Sequence, residues 1–179
     1  MNRKLKLWEL NRLTTAEFKQ QQKFPIVLVL DNIRSLNNIG SFFRTADAFN
    51  IEKIYLCGIS AKPPHREIQK TALGATDAVS WEYFEDVQTV IDSLKQQNFQ
   101  LLAIEQAEKT VLLQNINPAK NQKYALIFGN EVNGVNQEIM DQCHTIVEVP
   151  QYGTKHSINV AVCAGIVLWE FVRMLNVKK

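Results

Sequence analysis

Two unbroken aliphatic runs, Ile26-Val27-Leu28-Val29-Leu30 and Tyr124-Ala125-Leu126-Ile127-Phe128, constrain this chain more than any other feature. Neither alternates polar with apolar residues, so each reads as a strand covered on both faces, the pattern of a parallel sheet sandwiched between helices. Each run ends abruptly in polar residues. The first leads into Asp31-Asn32-Ile33-Arg34-Ser35-Leu36-Asn37-Asn38-Ile39-Gly40, the second into Gly129-Asn130-Glu131-Val132-Asn133-Gly134. A third strand, Thr145–Val149, opens into Pro150-Gln151-Tyr152-Gly153-Thr154-Lys155-His156-Ser157-Ile158-Asn159. In an open α/β sheet, ligands bind where loops leave the carboxyl ends of strands, and glycines there let a backbone approach a flat ligand. The loops at 129–134 and 149–159 are therefore expected to face one pocket.

Caps, breakers and periodicity place the remaining elements. Thr14-Thr15-Ala16-Glu17 before Phe18 matches a capping box, which starts a short helix that stops before Pro25. Phe42, Phe43, Ala46 and Phe49 recur at helical spacing and predict a helix over about Ile39–Phe49, ended by Asn50 in the left-handed conformation. Strands are expected at Lys53–Cys57, Val79–Phe84 and Phe99–Glu105, and helices at about Asp86–Gln97 and Asn136–Cys143. Pro63 and Pro64 force a loop, and residues 106–122 read as a polar connection ending in the turn Asn115-Ile116-Asn117-Pro118. A final helix runs from about Ser157 to Leu175, with Ser157 as its natural N-cap. That helix is apolar around most of its circumference, so it needs cover on more than one side, from its own sheet or from a second subunit. A homodimer through the carboxy-terminal helix region is expected. The alternation of strand and helix gives an α/β fold, a mostly parallel sheet flanked by helices.

A length of 179 residues with 46% hydrophobic content suits one substantial core. No stretch approaches the roughly 18 apolar residues of a membrane span, and the start, Met1 to Trp8, lacks the apolar region of a signal peptide. A cytoplasmic protein is expected. Cys57, Cys143 and Cys163 are odd in number and set among apolar residues, which argues against a disulfide framework or a metal site and for small buried hydrophobes. The net charge of +2 conceals an asymmetry, because residues 1–23 hold six basic side chains against Glu9 and Glu17. The chain thus divides into a basic amino-terminal arm, 1–23, and a body, 24–179. Two readings of the arm stand side by side: it tracks a phosphate backbone while Trp8 stacks a base, or it is a surface helix that docks through Trp8 and Leu10.

A dinucleotide site would place Gly-x-Gly-x-x-Gly after the first strand, where only Gly40 occurs, and a phosphate-binding loop would follow Gly134 with Lys and Ser or Thr rather than Val135 and Asn136. What the loops offer is backbone donors and acceptors beside Leu126, Ile127, Val149 and Ile158, a pocket suited to a neutral purine edge.

Asn38-x-Gly40-x-x-x-Arg44, Gly129-x-Glu131-x-x-Gly134 and Pro150 with Ser157-x-Asn159-Val160 together resemble the three motifs of the SpoU (TrmH-like) RNA ribose 2′-O-methyltransferases of the SPOUT superfamily. The resemblance covers about residues 24 to 175. It implies a carboxy-terminal trefoil knot, a homodimer, and S-adenosyl-L-methionine held mainly by backbone groups at Gly129, Gly134, Val149, Pro150, Ser157 and Ile158. It also implies methyl transfer to a ribose hydroxyl with Arg44, Asn38, Glu131, Ser157 and Asn159 as the catalytic set. The matching arginine has been viewed in the family as the proton acceptor. A guanidinium with a pKa above about 12 is better suited to binding the phosphate beside the target ribose, or, as the plain alternative, to an ion pair with Asp47 or Glu52. Asn38 holds a ribose or fixes its loop; Glu131 orients Arg44 or the RNA, or is an exposed loop acid. Asn159, at the start of an apolar helix, must find partners, either the ribose or the 129–134 loop. His156 reads as a loop surface position ahead of a phosphate contact.

Asn50 stands where many relatives have glycine, and Ala161 where serine is frequent. The arm and the Lys62–Lys70 loop are left to grip RNA, with tRNA ahead of rRNA. A non-catalytic RNA-binding module of the same fold is the rival reading.

Overall fold

The computed structural model describes residues 2–176, so the outer limits expected for arm and body, residue 1 and residues 177–179, lie outside it. The strands are β1 (Phe24–Asp31), β2 (Ile51–Cys57), β3 (Ser80–Phe84), β4 (Phe99–Ile104), β5 (Val111–Leu112), β6 (Lys123–Phe128) and β7 (Thr145–Glu148). They form one sheet in the order β3-β2-β1-β6-β4-β7-β5, every neighbouring pair parallel. The helices are α1 (Thr15–Gln20), α2 (Leu36–Ala48), α3 (Arg66–Ala72), α4 (Ala75–Ala78), α5 (Val87–Gln96), α6 (Gln137–Met140) and α7 (Val160–Leu175).

The aliphatic runs behave as strands buried on both faces. Leu28, Leu30, Leu126 and Phe128 point to one side, against Phe42 and Phe43 of α2 and Leu168 and Phe171 of α7. Val27, Val29, Ala125 and Ile127 point to the other, against Val90, Ile91 and Leu94 of α5 and Ile139 of α6. Phe42 meets Phe128 edge-on at a ring separation of 5.2 Å, and Tyr124 meets Phe171 at 5.4 Å. Burying each such ring contributes about 2–3 kcal/mol, so helix packing rather than propensity holds α2 and α7 in place.

Several elements differ from expectation: the expected Lys62–Lys70 loop is helical from Arg66, where α3 begins and α4 follows, and α6 spans only Gln137–Met140 of the expected Asn136–Cys143. α2 begins at Leu36 rather than near Ile39, because the Ser35 hydroxyl accepts from the Asn38 backbone N–H and caps the helix earlier. Asn38 therefore rides on the helix with Gly40 rather than in the loop before it. Gly40 is required there, since a β-carbon would collide with Thr71 Oγ1 and the Ile68 carbonyl of α3. α7 begins at Val160, capped by Asn159 and not by Ser157: Asn159 Oδ1 accepts from the backbone of Ala161 and Val162 at 2.9 and 3.2 Å. Finally, the polar connection after β4 contains β5, two residues that add an edge to β7.

β7 lies between β4 and β5, both earlier in the chain. Insertion of a late strand between two earlier ones is consistent with the knotted carboxy-terminal end that the resemblance implies. At the other end, the capping box forms as expected, with Thr14 and Glu17 bonding each other's backbone, but Phe18, not Trp8, docks the arm. Trp8 stays 75% exposed, with Lys6 Nζ 5.0 Å from its ring centre. Asn50 adopts φ 54°, ending α2 as expected, and its amide binds Gln21, Gln22 and Lys23, fixing the arm's root.

Candidate active site

Because all strands run the same way, their carboxyl ends share one edge, and a cavity of about 520 Å³ opens there beyond β4, β6 and β7. This volume is within the range that holds a nucleoside-sized ligand. The 129–134 loop forms one wall, held in shape by Gly134 N–H donating to Asn130 O at 3.0 Å and by the Asn130 side chain accepting from Val132 and Asn133. A β-carbon at Gly129 would strike the Gly134 backbone. Gly134 itself has φ +67° and sits against the Glu105 carboxylate. Only glycine satisfies both positions.

Against this wall, Glu105, the residue after β4, accepts from the backbone N–H of Val135 at 3.0 Å and of Gln106 at 2.9 Å. Gln106 Nε2 donates to the His156 carbonyl at 3.2 Å, tying the β4 end to the 149–159 segment. The two loops thus lie side by side, as the sequence indicated.

A hydrogen-bond relay joins the three segments picked out in the sequence. Asn159 Nδ2 donates to Asn38 Oδ1 at 3.0 Å, and Asn38 Nδ2 donates to Glu131 Oε1 at 2.8 Å. Glu131 also accepts from the backbone of Arg34 and Ser35, each at 3.3 Å. Burial pushes the Glu131 carboxyl upward, but bonds from its own backbone N–H, from Asn38 and from the Arg34 and Ser35 backbone outweigh it and hold it below the ordinary value. Glu131 is therefore ionised at neutral pH, which fixes the Asn38 amide with its nitrogen towards Glu131 and its oxygen towards Asn159.

Gly129, Glu131, Gly134, Val149, Ser157, Ile158 and Asn159 line the cavity. Asn38, only 8% exposed, stands behind it and acts through its two partners. Pro150 and Arg44 are not part of the lining. Arg44 projects from the exposed side of α2 and, among the described residues, has neither a hydrogen bond nor an ion pair, so neither Asp47 nor Glu52 holds it and Glu131 does not orient it. Its neighbour Thr45 faces Gly165 of α7, where an added β-carbon would meet the Thr45 methyl at 4.0 Å.

Sequence reasoning missed Glu105, Gln106, Phe128 and Cys163 as lining residues. For Glu105 and Gln106 the signal was available, since they too follow an aliphatic strand at its carboxyl end. Cys163 carries no such signal. Burial, with a smaller effect of Glu105, pushes its thiol up to about 11, so it stays protonated.

No Lys or Arg lines the cavity among the described residues. Two carboxylates beside apolar walls from Ile104, Phe128, Val149 and Ile158 fit a purine nucleoside bearing a cationic tail, and disfavour a phosphate chain.

Residues 25–169 match the SpoU rRNA Methylase family. An uncharacterized tRNA/rRNA methyltransferase from Borreliella burgdorferi is 29% identical over 161 residues, 89% of this chain and 68% of the relative. A tRNA (guanosine(18)-2′-O)-methyltransferase of the same organism is 25% identical over 151 residues, 84% of this chain and 67% of the relative. An AdoMet-bound rRNA methyltransferase from Sinorhizobium meliloti superposes with a TM-score of 0.79 at 26% identity, covering 88% of this chain and 59% of that one. The chain therefore spans only part of each of these proteins.

Proposed function

Because the chain belongs to the SpoU rRNA Methylase family, we propose that it is an S-adenosyl-L-methionine-dependent RNA methyltransferase that modifies a ribose 2′-hydroxyl, with tRNA ahead of rRNA as substrate. The observation that carries this reading is the Asn159–Asn38–Glu131 relay, which draws the three motif segments together at one cavity. The AdoMet-bound relative supports the cofactor, and the relative named for tRNA ribose methylation supports the substrate.

When bound, the cofactor supplies an electrophilic methyl group on a sulfonium sulfur. The chain must then hold the ribose hydroxyl in line, accept its proton and exclude water. Gly129, Gly134, Val149, Ser157 and Ile158 form the cofactor's walls. Pro150, next to Val149 but outside the lining, sets the direction of that segment. Asn38 and Asn159 hold the loops at the geometry the ribose meets, and Glu131 anchors the amino end of α2 to the cofactor loop.

Arg44 binds the phosphate next to the target ribose, a bidentate role its guanidinium is built for. It lies outside the cavity of its own chain, beside α7, where Val162, Ile166 and Trp169 are exposed at helical spacing. A second copy covering this stripe makes a homodimer and places Arg44 at its seam. Residues 1–23 serve as a basic arm on RNA, and 24–179 as the methyltransferase body. Among the described residues no helix is long and apolar enough to cross a membrane; the proposed site of action is the cytoplasm.

Labelled methyl transfer from S-adenosyl-L-methionine to separated, unmodified tRNA and rRNA tests the reading. A 2′-O-methyl group blocks alkaline cleavage at its nucleotide, so label recovered in an alkali-stable dinucleotide is the expected outcome. Label on a base, or none with either RNA despite cofactor binding, would refute ribose methylation of these substrates.

A further inference from the structure

The two acids of the cavity are answered differently. Glu131 meets Asn38 and the first N–H groups around α2, whose amino end adds a favourable dipole. Glu105 meets two neutral backbone N–H groups, those of Val135 and Gln106. No ion pair among the described residues involves it, and no Lys or Arg lines the wall. Facing Glu105 is the protonated thiol of Cys163. Neither carboxylate of the lining meets a cation among the described residues, and Glu105, with fewer donors than Glu131, is the less compensated of the two, inside a concavity where charge interactions are stronger than in water.

Resting on the methyltransferase reading, we propose that Glu105 gives the cavity its preference for the positively charged methyl donor over the neutral demethylated product. S-adenosyl-L-methionine bears a sulfonium, an ammonium and a carboxylate, net +1. S-adenosylhomocysteine has lost the sulfonium charge and is net neutral. The two ligands are otherwise nearly the same shape, so contacts with Gly129, Gly134 or Ile158 cannot separate them strongly, whereas a single carboxylate can. Discharging the cofactor thus weakens its hold on the cavity at the moment the product must leave.

Glu105 also fastens the 134–135 backbone, and the test must separate charge from latch. Glu105→Gln removes the charge, keeps a side-chain oxygen for Val135 N–H and gives up the bond from Gln106 N–H, a loss common to both ligands; Glu105→Asp keeps the charge on a shorter stem. Calorimetric titration of wild type and both variants with each ligand is the experiment. In Glu105→Gln the affinity for S-adenosyl-L-methionine should fall about tenfold while that for S-adenosylhomocysteine changes less than about twofold. Glu105→Asp should preserve the wild-type ratio even where both affinities drop. In the unmutated protein the same ratio should shrink as salt rises, a readout independent of how either variant folds. Equal losses for both ligands in Glu105→Gln would make Glu105 a latch alone, and an unchanged ratio there, or one indifferent to salt, would equally overturn the inference. Wild-type protein that bound neither ligand would sink the methyltransferase reading and this inference with it.

Discussion

Asn159 performs two tasks that substitution can separate. Its oxygen caps α7, and its nitrogen donates to Asn38. Loss of an asparagine cap costs about 1 kcal/mol, and loss of a partly buried neutral hydrogen bond about another 1 kcal/mol. Asn159→Ala removes both, so about 2 kcal/mol is expected. Asn159→Asp keeps an excellent cap but has no donor, and Asn38 cannot turn its amide to compensate, because ionised Glu131 accepts only. The Asp variant should therefore lose about 1 kcal/mol. For a chain of this size each kcal/mol moves Tm by about 2–4 °C, so melts at pH 7 should fall by roughly 4–8 °C for Ala and 2–4 °C for Asp. The double variant with Asn38→Ala should show coupling, since the two residues share one bond. Equal losses for Ala and Asp would mean the cap adds nothing. An Asp variant as stable as wild type would mean the relay adds nothing, and the account of how the motifs are joined would fall.

Arg44→Ala should reduce methyl transfer at least about a hundredfold with cofactor affinity near wild type, because Arg44 lies outside the cavity; an unchanged rate removes it from the mechanism. Burial raises the Asp31 carboxyl, with Asn32 opposing and Asp86 adding to the rise. The folded state then binds that proton more tightly than the unfolded chain, so stability is lost as pH climbs from the ordinary value of 3.8 through the raised one. Asp31→Asn should flatten this slope and raise Tm by roughly 2 °C at pH 7, and a lower Tm across a pH series would contradict it. Deleting residues 1–13, which spares docked Phe18, should weaken RNA binding and reduce its salt slope by about 2, in line with Lys4, Lys6 and Arg12 meeting phosphates. An unaltered slope would leave the arm a structural role only.

The strands were legible wherever burial alone dictates the sequence. β1 and β6 have nothing but aliphatic and aromatic options at most positions, so their runs identify them. β5 was illegible because Val111–Leu112 is a strand only through pairing with β7, a tertiary event with no local period. The starts of α2 and α7 failed for a shared reason: several Ser and Asn residues in each segment can cap, and the winner is set by where the chain must stay open. Residues 150–159 stay irregular, with bends at 153–156, where they build the cavity wall, which leaves Ser157 in the loop and hands the cap to Asn159. Among the site residues, those in glycine-bearing loops were visible, as was the grouping of Asn38, Glu131 and Asn159. The direction of each contact was not, and Glu131 turned to Asn38 rather than to Arg44.

The insertion of β7 between β4 and β5 also imposes an order on biosynthesis. Both flanking strands are synthesised before residues 145 onward, and those later residues carry one wall of the cavity together with the cap that starts α7. Closing contacts over so long a separation is slow, so a nascent chain passes through a period in which β4 and β5 present unpaired edges to other chains. A premature stop before residue 145 would freeze that hazard in place, leaving a sheet that can aggregate and no site to be stabilised by ligand. Stabilisation by a ligand in this cavity is therefore open only to chains that contain the wall built from residues 149–163.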